Sequence, residues 1–230
     1  MTLGILGGLG PSSTVYFYEL LTSLTMANSD QEHLDIVISS RATTPDRTDY
    51  ILGKSEKNPL DVMVSDAKKL EAFGVDAIAI PCNTAHFFYD AIAESVAVPV
   101  LNIISVTLEN VKRSGGRTIG LLATEGTAKS QAYHMMAHKM GLECIVPDED
   151  EQKIISSIIY DDIKQGKKAD IDKFMSVANS LFERGADRLI LGCTELSLLC
   201  KDKNFDERFV DSLYSLAIHC IEYFGKNVIT

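Results

Sequence analysis

The sequence lacks the features that mark exported, membrane-spanning or nucleic-acid-binding proteins. No apolar run approaches the roughly 20 residues that a bilayer requires. The opening MTLGILGGLGP has no basic segment ahead of its apolar stretch, which glycines interrupt. Acidic residues outnumber basic ones, 32 to 22, and the formal net charge of −10 argues against nucleic acid or an anionic membrane as a partner. We therefore expect a cytoplasmic protein that acts on a small molecule.

Signals for disulfides, metals and nucleotide cofactors are equally scarce. The five cysteines form no CxxC pair and are odd in number, which predicts reduced thiols rather than a disulfide scaffold. No GxxxxGK[ST] motif is present, and the run from Gly8 to Ser13 misses the fingerprint GxGxxG at its last glycine. His86, four residues after Cys82, has no second pair of potential metal ligands to join it. The sequence predicts neither a metal nor a cofactor.

What the chain does contain is an alternation of strand-like and helix-like patterns over 230 residues, 46% of them hydrophobic. Val75–Ile80 is a nearly continuous apolar run, typical of a strand that is covered on both faces, whereas Pro59–Phe73 has the apolar spacing of a helix. Further strands are predicted at Leu3–Leu6, Leu34–Ser39, Val98–Leu101, Thr118–Leu122, Leu142–Val146 and Leu189–Leu191. Strands separated by helices predict an α/β fold with mostly parallel sheets.

An internal repeat divides the chain into two similar α/β halves. Thr2–Gly7 resembles Thr118–Ala123, and Gly74–Cys82 resembles Gly185–Cys193, at the similar separations of 116 and 111 positions. Either match alone would mean little, because chance likeness between strand–helix units is common. Together they predict a first half of residues 1–105 plus 210–230 and a second half of residues 106–209.

Each repeat brings a cysteine to the same place. Cys82 and Cys193 each follow a buried-type strand, and ligands of parallel sheets bind outside the carboxyl ends of the strands. A helix is expected to begin within a residue or two, and its N-terminus can lower a thiol pKa from about 8.5 toward neutrality. Across a cleft, the two thiols would approach one carbon from opposite sides. One ionised and one protonated thiol suit removal of a proton from one face and its return to the other.

The alternative for any single cysteine is burial as a small hydrophobic residue, which is the common fate of cytosolic cysteine. Because Cys82 and Cys193 occupy matched positions in the repeat, we favour an acid/base role over a structural one for these two residues. Cys144, Cys200 and Cys220 have no comparable setting, and we interpret them as structural.

Four motifs carry a family resemblance: Gly7–Pro11, Pro45–Thr48, Pro81–Thr84 and Gly192–Glu195. Together they resemble the aspartate/glutamate racemase family, and specifically its aspartate racemase branch. The likeness covers essentially the whole chain in order, including the stretches 148–152 and 160–166. It implies a cofactor-independent racemase of two Rossmann-like α/β halves with the active site in the cleft between them, commonly a homodimer.

The resemblance also implies roles for individual residues. Cys82 and Cys193 would be the two acid/base groups. The α-carboxylate and ammonium of the substrate would be held by Asn83, Thr84 and Thr194.

Three charged residues would complete the substrate site. Arg47 and Lys164 match basic residues of the family that grip the side-chain carboxylate, and Glu195 stands where the glutamate racemase branch carries a histidine. Without the resemblance, Arg47 reads as a residue of a proline-containing loop, and Lys164 as a cation in the last turn of a helix. Glu195 could orient the Cys193 region or bind the substrate ammonium. Alternatively, it is an acidic residue in the first turn of a helix, where the helix dipole stabilises its negative charge. Arg41 departs from the family's often asparagine-rich stretch and adds a positive charge close to the substrate loop.

Two loops are expected to lie beside the substrate. In the first half, the glycines let the backbone at Gly8 and Leu9 turn tightly, with Ser12 or Ser13 capping the next helix. In the second half, Thr127 lies in the repeat partner of that loop.

The function predicted from these features is cofactor-independent racemisation of an acidic amino acid, with aspartate as the first choice of substrate. One alternative keeps the scaffold and changes the reaction: racemisation of glutamate, of hydantoins or of many amino acids, decarboxylation of an arylmalonate, or isomerisation of maleate through a covalent cysteine adduct. Another alternative is a non-catalytic protein that binds amino acids.

Overall fold

A computed structural model describes residues 1–202 and 205–229 of the chain. Its strands form two four-stranded sheets in which every pairing is parallel. The first sheet contains β1 (Thr2–Gly7), β2 (Asp35–Ser40), β3 (Ala77–Ala79) and β4 (Val100–Leu101), in the order β2-β1-β3-β4. The second contains β5 (Thr118–Leu122), β6 (Glu143–Ile145), β7 (Arg188–Leu191) and β8 (Phe209–Asp211), in the order β6-β5-β7-β8. The predicted α/β class with two similar halves is confirmed.

Helices connect the strands and cover the sheets. They are α1 (Pro11–Leu24), α2 (Arg47–Ile51), α3 (Leu60–Phe73), α4 (Tyr89–Ala93), α5 (Ile103–Arg113), α6 (Glu125–Lys129), α7 (Ala132–Lys139), α8 (Glu149–Ser157), α9 (Ile171–Glu183), α10 (Leu199–Asp202) and α11 (Ser212–Tyr223). Short 3₁₀ turns lie at Asp30–Glu32, Thr84–Phe88, Ile163–Gln165 and Leu196–Leu198, and a π-helical turn at Ile158–Asp162. None of the helices in the part of the chain that the structure describes is long and apolar enough to cross a membrane.

One hydrophobic core joins the two halves. Leu3 of β1 and Leu121 of β5 are fully buried in the same cluster, together with Leu216 of α11. This helix packs on both α1 and α5, so the last helix of the chain returns to elements of the first half. Burial of large apolar side chains is the main favourable term in folding, and here it also fixes how the two sheets face each other.

The second sheet extends slightly further than the predicted limit of the second half. β8 ends at Asp211, whereas that half was predicted to stop at residue 209. The division into 1–105 plus 210–230 and 106–209 stays a prediction, and its ranges include residues 203, 204 and 230, which lie outside the described residues.

Two local expectations are wrong. Arg47 is the first residue of a short helix instead of a loop residue, because the Asp46 carboxylate accepts a hydrogen bond from the Asp49 amide (2.9 Å) and caps α2. Neither Ser12 nor Ser13 caps α1: the chain enters this helix through Gly10 at φ 149° with a proline next, so both serines already lie within the helix.

Candidate active site

Both cysteines lie just beyond the carboxyl ends of central strands, and they line a single small cavity. Cys82 follows β3 and Cys193 follows β7, and the two residues are 6% and 5% exposed. The cavity has about 10 Å³ of free space, enough for about one water molecule. Its lining is formed by Leu9, Asp46, Arg47, Thr48, Cys82, Asn83, Thr84, Thr124, Tyr160, Lys164, Cys193, Thr194 and Glu195.

The turn after Cys82 is anchored to helices α7 and α11. The Asn83 side chain donates from Nδ2 to the Ser212 hydroxyl (2.9 Å), and its Oδ1 accepts from the Tyr133 hydroxyl (2.7 Å). Tyr133 is completely buried, so this hydrogen bond has no competition from solvent. Sequence reasoning missed Tyr133, which shares no motif with Asn83 and reaches it only through the packing of the two halves.

Three hydroxyl groups form a closed triangle beside this turn. The Thr84 Oγ1 atom lies 3.0 Å from Thr124 Oγ1 and 2.8 Å from Thr127 Oγ1, and the last two are 3.0 Å apart. Thr84 and Thr124 line the cavity, whereas Thr127, a predicted site residue, supports them from behind. Thr84 of the first half thus contacts the loop of Thr124 and Thr127 in the second half. In the internal repeat, this loop corresponds to the glycine-rich loop of the first half.

The second thiol lies beside an ion pair. Cys193 donates a hydrogen bond from Sγ to Glu195 Oε2 (3.0 Å), and the other carboxylate oxygen of Glu195 lies 3.2 Å from Lys164 Nζ. Burial and the neighbouring Glu195 carboxylate raise the pKa of Cys193 well above its usual value, so this thiol is protonated at neutral pH. The expectation that a helix N-terminus would lower the thiol pKa is wrong for Cys193, because only a three-residue 3₁₀ turn follows it and an anion faces it.

Lys164 keeps its charge inside the site. Burial alone would lower its pKa, but the negative charge of Glu195 and the electrostatic pull of both thiols outweigh burial, and the pKa of Lys164 is raised. Lys164 also lies 5.3 Å from the centre of the Tyr160 ring. Tyr160 was part of the family resemblance but was not predicted as a site residue, although its spacing of four places it on the helix face of Lys164.

The glycine-rich loop is packed so closely by its neighbours that two of its positions leave no room for a side chain. Gly8 has φ 78°, and a Cβ atom there would lie 2.3 Å from the Arg41 amide nitrogen. A Cβ atom at Gly10 would lie 2.5 Å from Glu195 Oε1, so the absence of a side chain makes room for the carboxylate. Gly8 is a predicted site residue that does not line the cavity, but its amide donates to Thr14 Oγ1 (2.9 Å) and so shapes the loop that presents Leu9.

Arg47 is a buried cation held by backbone oxygens. It donates to the carbonyl groups of Leu9 (2.7 Å) and Pro45 (3.0 Å), and it is 8% exposed. Its Nε atom is buried and has no hydrogen-bond partner among the described residues. A fixed guanidinium with an unused N–H is suited to a carboxylate ligand.

Arg41 turns away from the cavity. Its guanidinium donates two hydrogen bonds to the Asp66 carboxylate of α3, at 2.5 and 2.6 Å, and Arg41 is not among the lining residues. The expected additional positive charge beside the substrate loop is therefore neutralised by Asp66.

The similarity of the chain to known proteins agrees with this geometry. Residues 6–217 match the family model described as Asp/Glu/hydantoin racemase. The chain belongs to this family. A broad-specificity amino-acid racemase of Bacillus subtilis is 30% identical over 222 residues, covering 94% of each chain.

Solved structures of the family share the fold over the whole chain. The Picrophilus torridus aspartate racemase superposes with a TM-score of 0.84 at 30% identity, covering 99% of this chain and 96% of that one. An aspartate racemase homologue from Pyrococcus horikoshii gives a TM-score of 0.79 at 25% identity, covering 97% and 99%. The protein is therefore an amino-acid racemase of this family. Among the residues that the structure describes, no three histidine, cysteine, aspartate or glutamate side chains are grouped to hold a metal ion.

Proposed function

We propose that the protein racemises an acidic amino acid, with aspartate as its preferred substrate, by proton transfer between Cα and two thiols without a cofactor. The observation that carries the proposal is that Cys82 and Cys193, at matched positions of the repeat, open into one cavity from opposite halves. Thiols on two sides of a cavity are what inversion at a single carbon requires.

The surroundings of Cys193 suggest the division of roles. Cys193 donates a hydrogen bond from its thiol to the Glu195 carboxylate and is assigned the role of the acid, and Cys82 is assigned the role of the base. In this scheme Cys82 takes the α-proton, the electron pair stays on carbon, and Cys193 donates its proton to the opposite face. The opposite enantiomer reacts with the roles exchanged. The Lys164 ammonium interacts electrostatically with both thiols, so it stabilises whichever one is ionised.

The polar groups around the thiols support a substrate with two carboxylates. Arg47 and Lys164 bring two positive charges into the cavity, and Glu195 brings a negative charge that suits an ammonium group. Thr194 and the hydroxyl of Thr84 lie next to the cysteines, where they can donate to the α-carboxylate as negative charge develops on it. Backbone amides beyond each cysteine can add to this stabilisation.

The cavity must widen before aspartate can bind, because its free volume matches about one water molecule. We expect the substrate ammonium and carboxylate to separate Glu195 from Lys164 and to take over their contacts. Closure of the halves then excludes water and strengthens the remaining charged contacts.

A wider substrate range is the second candidate, favoured by the likeness to a racemase named for its broad specificity. The test is incubation of the purified protein in D₂O, without added cofactor, with a panel of L-amino acids, followed by chiral chromatography and mass spectrometry. Aspartate alone should gain deuterium at Cα and yield the D-enantiomer. Turnover of many amino acids would replace aspartate preference by broad specificity, and no exchange with any of them would contradict the proposal.

Single-cysteine variants test the two-thiol scheme. Cys82→Ala and Cys193→Ala should each lose racemisation by about 10²-fold or more, because one acid/base group is missing. Each variant should still exchange the α-proton of at most one enantiomer, since the remaining thiol reaches only one face. Cys144→Ala, which removes a cysteine outside the cavity, serves as the control. Near-normal interconversion by Cys193→Ala would contradict the scheme.

Assembly into a homodimer and a cytoplasmic location are parts of the same proposal. Sedimentation of the purified chain at several concentrations tests the first, and a monomer at all of them would contradict it.

A further inference from the structure

His86 is a buried titratable residue close to Cys82 that the proposed reaction does not use. It lies in the 3₁₀ turn four residues after the cysteine and is 5% exposed. Its Nδ1 atom lies 2.9 Å from the Cys82 carbonyl oxygen, and its Nε2 atom lies 3.1 Å from the amide nitrogen of Ile103. It is not among the residues that line the cavity.

These two contacts determine which nitrogen carries the proton. A backbone amide can only donate, so Nε2 accepts from Ile103 and holds no proton, and Nδ1 donates to the carbonyl oxygen of Cys82. The ring also stacks on Tyr89, with 5.7 Å between ring centres and 9° between planes. Burial lowers the pKa of His86 to about 4, which agrees with a neutral ring at physiological pH.

The Cys82 residue is consequently held at both of its backbone polar groups. Its amide donates to the Ile80 carbonyl oxygen (2.8 Å), and its carbonyl oxygen accepts from His86. With both groups bonded, the direction in which the Cα–Cβ bond points into the cavity is set, and only rotation about the side-chain bond remains free.

The second half contains a related connection in which the carbonyl oxygen of the cysteine accepts from a backbone amide, that of Leu196 (2.9 Å), and not from a side chain. Ser197 lies four residues after Cys193, and its hydroxyl donates to Asp211 Oδ1 (2.6 Å), the residue that caps α11. In the first half, Ile103 is the first residue of α5, which follows the last strand of its sheet as α11 follows β8. Each cysteine turn is thus tied to the N-terminus of the helix that follows the last strand of its sheet.

We propose that His86 is a positioning residue for Cys82: it connects the Cys82 carbonyl group to the start of α5 and thereby fixes the thiol relative to the substrate carbon. The role rests on the proposed two-thiol reaction. An imidazole suits it because a neutral ring supplies a donor and an acceptor on opposite sides at a fixed separation, without placing a charge beside the thiol.

Two variants separate the two hydrogen bonds. In His86→Asn the amide nitrogen can replace Nδ1 as donor to Cys82, whereas in His86→Gln the amide oxygen can replace Nε2 as acceptor from Ile103. We expect His86→Gln to lower kcat by about 10- to 100-fold with little change in KM, because displacement of a reacting group by about 1 Å costs that much. His86→Asn should retain more of kcat. Ser197→Ala is the matched variant in the other half.

Site-resolved alkylation with iodoacetamide distinguishes positioning from general loss of structure and does not depend on racemase activity. His86→Gln should change the alkylation rate of Cys82 several-fold relative to Cys193, and Ser197→Ala should do the reverse. A failed D₂O assay of the wild-type protein together with this pattern would refute the racemase proposal and keep the positioning role. Unchanged kcat and unchanged alkylation of Cys82 in His86→Gln would refute the positioning role.

If a variant does not fold, a measurement on the wild-type protein tests the positioning role of His86. Nitrogen NMR of the histidine rings should show His86 as the neutral Nδ1–H tautomer between about pH 5.5 and 8. A protonated ring, or a proton on Nε2, would overturn the proposal.

Discussion

The two cysteines differ in the residue that lies two positions after each of them. Thr84 is neutral and joins a triangle of hydroxyl groups, whereas Glu195 is paired with Lys164 and accepts a hydrogen bond from the Cys193 thiol. Although the two halves have the same strand order, a neutral hydroxyl group lies beside one thiol and a negatively charged carboxylate lies beside the other. The difference lies in single side chains and gives the site a defined starting state.

Glu195→Gln tests this difference. Burial of Cys193 persists in the variant, but the negative charge that also raises its pKa is gone, so the pKa of Cys193 should fall and its alkylation should begin at lower pH. Racemisation should drop about tenfold or more, since the contact between Glu195 and Lys164 is lost. The pH dependence of iodoacetamide labelling at Cys193 measures the shift.

The matched control for this change is Glu149→Gln, which removes an exposed carboxylate that pairs with Lys153. It should leave both the labelling profile and the turnover unchanged. An unaltered Cys193 profile in Glu195→Gln would show that the carboxylate does not act on the thiol.

At the scale of elements, the segment after β2 is tied to α3 by charge. Arg41 follows the end of β2, and its guanidinium and the Lys69 ammonium both donate to Asp66 of α3. Although burial acts to raise it, these hydrogen bonds hold the pKa of Asp66 below its usual range. The pair links the substrate-side loop to the body of the first half.

Asp66→Asn should lower the melting temperature by a few degrees at pH 7, because two charged hydrogen bonds lose their anionic acceptor. The folded-state pKa of Asp66 is depressed, so its contribution is fully present above the unfolded pKa and is lost as pH falls through the folded pKa. The difference from wild type should therefore narrow below about pH 4. Thermal melts across pH measure it, and a gap that stays constant down to about pH 2 would contradict the assignment.

A second element, the π-helical turn at Ile158–Asp162, brings Tyr160 over the cavity. Tyr160 and Thr48 of α2 both line the cavity, and the Thr48 hydroxyl acts to lower the pKa of Tyr160, so the two side chains interact across the site. π-helical turns are rare and often occur at functional sites. In this protein the turn places Tyr160 and Lys164 on the same side of the cleft.

Tyr160→Phe should raise KM about 2- to 10-fold with the fold intact, because a hydroxyl group that lines the cavity and interacts with Thr48 is lost. Thr48→Val removes the partner group, and the double variant should be no worse than either single one. Steady-state kinetics of the three variants measure the coupling between the Tyr160 and Thr48 side chains. Additive losses would mean that the two groups act separately.

At the scale of the whole molecule, a shared core joins the sheets. Leu216→Ala should destabilise the protein by about 2–5 kcal/mol, since it leaves a cavity in the cluster that contains β1 and β5 side chains. Unfolding should remain a single transition when followed both by circular dichroism and by thiol exposure. Tyr214→Ala, on the exposed side of the same helix, should have little effect. Two separate transitions would show that the halves fold independently.

The fold and the positions of both cysteines could be predicted because short stretches of the sequence carry the patterns that indicate them. The run at Val75–Ile80 and the repeated strand–cysteine segments carry their signal within a few residues, so period and spacing suffice. β8 has only three residues and no alternation to detect, and it went unpredicted. Contacts such as Tyr133 with Asn83 depend on how the halves pack, and no local pattern contains that information.

The contacts of Thr84 and Glu195 have a consequence for how the protein can change. Each reaches a loop of the opposite half, Thr84 at Thr124 and Glu195 at Gly10. In the proposed two-thiol reaction, neither half therefore contains a complete site, because each supplies one sulfur atom and a contact to a loop of the other. Under this proposal, the two halves expressed as separate polypeptides would have to associate before either could act.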